Sequence, residues 1–386
     1  MRFNFHVPTA VRFGTGVVKD LGKTVAPYGK KALLVYGGSS IKRNGVYDDV
    51  TASLKEAGIE WFELPGVEPN PKWTTVDKGW KICKENGVDY VIAAGGGSCV
   101  DCSKAIAAAT AYDSSVLDLM RSHTPILKAL PIFVVLTLAA TGSEMDAGAV
   151  ITDTIKKEKS GVFGPALYPT VSFLDPSYTY TVPKHQTAAG TADIYAHTIE
   201  NYFDTAKDTY FVDGVAESIL RTCVKYGPVA IADPTNEEAR ANLMWASPWA
   251  INGLIGCGRN EGWSLHPIQH PIGAWYDNTH GDGLAIIMPH WMRRVLNEDT
   301  LFKFVQYGVN VFGIDPALDP HEIAEKAIAC TEDFLFNKLG IPRTLSEIGV
   351  DDKHLDEIAE SAARGLARGF VPLTKEDVLE ILKKAL

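Results

Sequence analysis

Four runs of the chain, 32–37 (ALLVYG), 59–64 (IEWFEL), 88–94 (VDYVIAA) and 132–138 (IFVVLTL), are short, rich in Val and Ile, and bounded by Gly or Pro. That is the pattern of strands buried on both faces. Helical patterns separate them, for instance at 44–57 and 72–86. Strands that alternate with helices imply a parallel sheet covered on both sides. From Pro183 the texture changes. The segments 184–203, 208–231, 236–255, 282–296, 299–312, 320–339 and 375–385 are helical in pattern, with breaks marked at Gly227-Pro228 and Gly340–Pro342. We therefore place an α/β domain at 1–182 and an all-α domain at 183–386. Ligands of an open α/β sheet sit beyond the carboxyl ends of its strands. The cleft between the two domains is thus the expected active site.

The composition narrows the function. A chain of 386 residues with 46% hydrophobic and 22% charged residues can bury a full core. Its net charge of -10 argues against nucleic-acid or anionic-membrane binding, which rest on an excess of Lys and Arg. No run of eighteen apolar residues suggests a membrane span, and MRFNFHVPTAVRFG lacks the apolar core of a secretion signal. Six scattered cysteines make no disulfide framework. A reducing cytoplasm is the expected setting.

Three glycine-rich turns follow predicted strands. Gly95, Gly96, Gly97 and Ser98 stand between VDYVIAA and the helix-like VDCSKAIAAAT. Strand, glycine turn and helix start form the context for phosphate binding, because the backbone can approach the anion and the helix N-terminus offers N–H groups. Lys104, one turn beyond Asp101, either pairs with it or reaches the phosphates. The pattern is neither the G-x-G-x-x-G fingerprint nor a Walker loop. A second loop, TGSE at 141–144, follows the fourth strand in the same way. A third, Gly37-Gly38-Ser39-Ser40, ends the first. An NAD site usually sets an acid on the adenosine ribose, and here none follows the strand at once. Serine hydroxyls and glycine amides suit a 2′-phosphate, which favours NADP(H) over NAD(H). Cys99 and Cys102 form a C-x-x-C without a second pair for zinc. We read them as small residues beside a crowded turn.

The second half carries the metal-binding residues. His266, His270 and His280 fall within fifteen residues, in a chain with ten histidines. Upstream, TADIYAHTIE places Asp193 and His197 at i and i+4, so both project from one helix face. We read Asp193, His197, His266 and His280 as ligands of one divalent ion. Carboxylate with imidazole suits iron, zinc, manganese or cobalt, and the lack of thiolate argues against a structural zinc site. Four protein ligands plus a substrate oxygen require five-coordination or more, which favours iron over zinc. Such an ion acts as a Lewis acid on an alcohol or carbonyl oxygen, and a nicotinamide carries the hydride.

Taken together, GGGSCVDCSKA, TLAATGSE, LDP at 174–176, GTADIYAHTIENY and HPIQHPIGAWYDNTHG resemble the iron-containing alcohol dehydrogenases. The resemblance covers nearly the whole chain, and NGLIG at 252–256 with the Gly-Gly-Ser-Ser turn points to the butanol dehydrogenase and NADPH-dependent aldehyde reductase subgroup. It implies a Rossmann-like N-terminal domain and an α-helical C-terminal domain, the dehydroquinate synthase-like fold. It implies bound Fe²⁺, replaceable by Zn²⁺, at the four ligands above. His270 matches a non-ligand histidine that positions substrate or relays a proton. Gly95, Gly96, Gly97, Ser98 and Asp101 match the pyrophosphate loop, Thr137 and Ser143 the second nucleotide loop, and Lys159 a lysine near the cofactor ribose. The family is commonly dimeric, and the run RFNFHV is placed to pair across a homodimer. Ala140 stands where the family often has glycine. The reaction so implied is hydride transfer between NADP(H) and a short-chain primary alcohol or aldehyde. A polyol dehydrogenase using NAD, or a non-catalytic nucleotide- or metal-binding protein, are the alternatives.

Overall fold

The computed structural model describes residues 2–260 and 262–386. Six parallel strands form one sheet, in the order β1 (Ala10–Phe13), β8 (Val171–Leu174), β5 (Ile132–Leu136), β4 (Tyr90–Gly95), β2 (Lys31–Tyr36) and β3 (Glu60–Leu64). The two other strands among the described residues, β6 (Gly148–Asp153) and β7 (Glu158–Phe163), make an antiparallel hairpin. The period of two divides the strand residues between the faces. Leu33, Val35, Val91, Ala93, Val134 and Leu136 pack on one side. Leu34, Tyr36, Ile92, Ala94, Phe133 and Val135 pack on the other. Both faces are buried, which is why these strands read as continuous apolar runs.

Register aligns the carboxyl ends of the central strands. Tyr36 pairs with Ala94, and Gly95 pairs with Leu136. The turns at 37–40, 95–98 and 137–144 therefore leave the same edge side by side. The chain steps outward from β2 to β3 in one direction and from β4 to β5 in the other. The reversal between β2 and β4 is a topological switch point, where open sheets bind ligands.

Two compact units result: residues 6–182 with 234–248, and residues 2–5 with 183–233 and 249–386. The second holds only helices and turns among the described residues. Its helices include Lys184–Tyr202, Tyr210–Ala232, Leu265–Tyr276 and His280–Val295. Two sequence expectations need correcting. Residues 234–248, placed by sequence in the helical domain, pack with the α/β unit instead. Met244 enters the core on one face of the sheet, Trp245 meets the Phe13 ring edge-on at 5.8 Å, and Ser247 donates to the Ala140 carbonyl. Gly227-Pro228 also fails to end a helix, because Tyr210–Ala232 runs through it. One missing N–H near the end does not terminate a 23-residue helix packed against Lys184–Tyr202. The N-terminal run 2–7 forms no strand, and Phe3 and Phe5 are exposed.

Candidate metal and nucleotide sites

Helix Lys184–Tyr202 is buried along almost its whole length. Asp193 and His197 share one face of it. Asp193 Oδ1 lies 3.7 Å from His197 Nδ1, 3.7 Å from His266 Nε2 and 3.7 Å from His280 Nε2. That is too long for hydrogen bonding. Two donors about 2.1 Å from one ion at the tetrahedral angle lie about 3.4 Å apart, so the spacing suits a shared cation. Asp193, His266 and His280 present donor atoms within 4.8 Å of one another. His197, the fourth residue expected from sequence, is not in that group: its Nδ1 is near Asp193 Oδ1, and its ring stacks on His266, centroids 4.4 Å apart. His266 Nε2 is buried and has no hydrogen-bond partner among the described residues. A buried nitrogen of that kind costs free energy unless something accepts its lone pair. The donor set therefore fits a divalent metal ion.

His270 is half-buried, with its ring 5.7 Å from that of His266 and 5.5 Å from that of His280. Trp263 sets its edge against His197 and His266, at 5.7 and 5.0 Å. Glu200, which was not singled out from sequence, accepts the Nδ1 proton of His266. Burial would lower the His266 pKa, but the Glu200 carboxylate, hydrogen-bonded to the ring, and the nearby Asp193 carboxylate outweigh it and raise the imidazole to about 9. The signal for Glu200 was its spacing, three residues after His197 on the ligand face.

In the α/β unit, helix Gly97–Tyr112 starts directly from the 95–98 turn with no side-chain cap at Gly96. Its N-terminal N–H groups, together with the glycine turn, offer the geometry that can hold an anion. Gly97 is required there, since a Cβ would stand 2.8 Å from Thr141 Cβ. Asp101 ties the turn to its neighbours: its carboxylate accepts from Ser143 Oγ at 2.6 Å and from the Val150 N–H at 2.9 Å. Burial pushes the Asp101 carboxyl up to about 6. Thr137 follows β5 and donates its N–H to the Gly95 carbonyl at 3.1 Å. Lys159 lies on β7 and donates to Asn70 Oδ1 at 2.9 Å. Lys104 neither pairs with Asp101 nor reaches outward. It is fully buried and donates to the Asp146 carboxylate and to the carbonyls of Asp146 and Gly148. Burial raises the Cys99 thiol to about 12 and the Cys102 thiol well above its usual value, so neither is a thiolate.

Gly38, Ser39 and Ser40 are exposed at the end of β2, and Arg43 donates to Ser39 Oγ. The nearest acid on the adjacent strand, Glu63, already accepts from the Tyr36 and Tyr47 hydroxyls and from Lys42.

A family model described as iron-containing alcohol dehydrogenase matches residues 8–176. The C-terminal model of the Fe-containing alcohol dehydrogenase family matches residues 187–386. NADH-dependent butanol dehydrogenase A of Clostridium acetobutylicum is 53% identical over 388 residues, covering 100% of both chains. The NADPH-dependent aldehyde reductase of Escherichia coli is 38% identical over 90% of this chain and 89% of its own. The crystal structure of NADH-dependent butanol dehydrogenase A of Thermotoga maritima is 40% identical, with a TM-score of 0.94, and covers 100% of this chain and 98% of its own.

Proposed function

The chain belongs to the iron-containing alcohol dehydrogenase family, in its butanol dehydrogenase subgroup, and on that premise we propose that it transfers a hydride between NADP(H) and a short-chain primary alcohol or aldehyde. The observation that carries the metal-dependent chemistry is the single Asp193 oxygen 3.7 Å from three imidazole nitrogens. Asp193, His197, His266 and His280 would hold Fe²⁺ or Zn²⁺, which supplies Lewis acidity toward the substrate oxygen. Trp263 offers an apolar wall for a short alkyl chain. His270 carries the proton that the product alcohol gains or the substrate alcohol loses. Arg259, the one Arg or Lys between 245 and 281, is engaged by Asp213 and by the Tyr202 and Ile255 carbonyls. It is not offered to a substrate phosphate, which disfavours a sugar-phosphate enzyme. Purified enzyme with NADPH and butanal should oxidise the cofactor, and a chelator should suppress the rate. No turnover of any aldehyde after metal reconstitution would refute the reading.

Preference for NADP(H) is supported by the exposed serines, by Arg43 beside Ser39, and by a Glu63 carboxylate already satisfied by neighbours. The butanol dehydrogenases at 53%, 49%, 44% and 40% identity are named NADH-dependent and the aldehyde reductase at 38% NADPH-dependent, so the reading for NADP(H) rests on the loop alone. Ser39→Asp would repel a 2′-phosphate and draw Arg43 away. A hydrogen bond to a charged group is worth about 1.5–3 kcal/mol. The expected outcome is a loss of about 10- to 100-fold in kcat/KM for NADPH, with little change for NADH. A wild type that favours NADH would overturn the preference.

A further inference from the structure

We propose that Glu200 is a positioning residue that fixes the tautomer of His266 and completes the charge balance of the metal site. The inference rests on the metal reading above. Asp193, His197 and Glu200 project from one buried face of helix Lys184–Tyr202. Glu200 is itself 5% exposed. Its Oε1 accepts three backbone N–H groups, from Ser264 at 2.6 Å, Leu265 at 2.5 Å and His266 at 3.1 Å. These open helix Leu265–Tyr276, whose N-cap residue Ser264 makes no side-chain cap of its own. A carboxylate from another helix thus satisfies donors that a helix start leaves unpaired.

The second oxygen, Oε2, faces His266 Nδ1. A carboxylate only accepts, so in the neutral ring that ligates a metal Nδ1 carries the proton and Nε2 carries the lone pair. Nε2 is the atom 3.7 Å from Asp193 Oδ1. One side chain therefore sets the start of the ligand's helix, the rotation of its ring and the nitrogen it presents. A carboxylate behind a ligating imidazole also makes it a stronger donor. The buried charges of Asp193 and Glu200 together equal that of one divalent cation.

Glu200→Gln separates this role from simple capping. The amide oxygen can still accept the three backbone N–H groups, so a cap alone survives the change. The amide NH₂ facing Nδ1 is a donor, which drives the His266 proton to Nε2 and blocks ligation. Apoprotein should be titrated with Zn²⁺ and Co²⁺ against a competing chelator. Wild type should bind, and E200Q should bind about 10- to 100-fold more weakly, with altered visible bands of the Co²⁺ form. Glu200→Asp, which keeps the charge, should recover part of the affinity. Wild type that binds no metal refutes the metal reading itself. Wild type and E200Q with equal affinity and equal Co²⁺ spectra refute the role of Glu200 alone. Should E200Q not fold, ¹⁵N-histidine spectra of zinc-loaded wild type decide. With signals assigned by comparison with His280→Ala, a metal-bound His266 with its proton on Nδ1 supports the assignment, and a His266 ring protonated on Nε2 overturns it.

Discussion

Asp193→Asn abolishes turnover and removes the response of the protein to divalent metal. Asp193 is 3% exposed and supplies the one oxygen that three imidazole nitrogens surround. A carboxylate there is expensive to bury unless a cation compensates it. Asparagine keeps the shape and removes the charge, so the cation loses its anionic donor. Loss of a ligand exceeds the 10- to 100-fold typical of a supporting partner, and an affinity fall beyond about 100-fold is expected on that scale. Thermal melts give a readout independent of activity. Metal at 100 times its Kd stabilises the folded state by about 2.7 kcal/mol. Chelation should therefore lower the Tm of wild type and leave that of D193N unmoved. Nucleotide binding, which we assign by proposal to loops of the α/β unit, should persist. D193N that retained full metal content and activity would remove Asp193 from the ligand set.

β2, β4 and β5 were legible because both their faces are buried, and the edge strand β3 because Trp61, Phe62 and Leu64 keep it apolar; each of the four lies within two residues of its apolar run. β1 was not, because AVRF is an edge strand with only one half-buried position and no apolar run. β8 has only four residues, and the hairpin strand β7 is polar and half-exposed. Helix Leu265–Tyr276 contains Pro267 and Pro271, so only the i, i+4 histidines betrayed it. Periodicity identified Glu237–Trp249 as a helix, but only the packing of Met244 assigns it to the sheet. Histidines are few enough for a cluster to stand out. Glutamates are not, and Glu200 gains its meaning only from Ser264, Leu265 and His266, more than sixty residues away in sequence.

Gly281→Ala disassembles the metal site without touching a ligand. Gly281 follows His280 at the start of helix His280–Val295, where that helix crosses Lys184–Tyr202. A Cβ at 281 would fall on the Ala189 carbonyl oxygen and lie 2.7 Å from its carbon and 3.0 Å from the Ala189 Cα. Those are backbone atoms one turn before Asp193, and no rotamer moves them aside. Relief requires the two helices to separate by on the order of 1 Å, whereas metal–ligand distances tolerate about 0.2 Å. Overpacking of this kind costs about 1–3 kcal/mol of stability. The larger effect falls on metal binding, because His280 leaves the donors that remain on Lys184–Tyr202. Gly283→Ala is the control. Its Cβ would meet the Asn278 amide nitrogen and Gln269 Cγ, each at 3.0 Å, and those are side chains that can yield. Metal content after dialysis should thus fall steeply in G281A and modestly in G283A, with NADPH binding intact in both. Equal metal retention by the two variants would show that the close crossing at Ala189 does not set the position of His280.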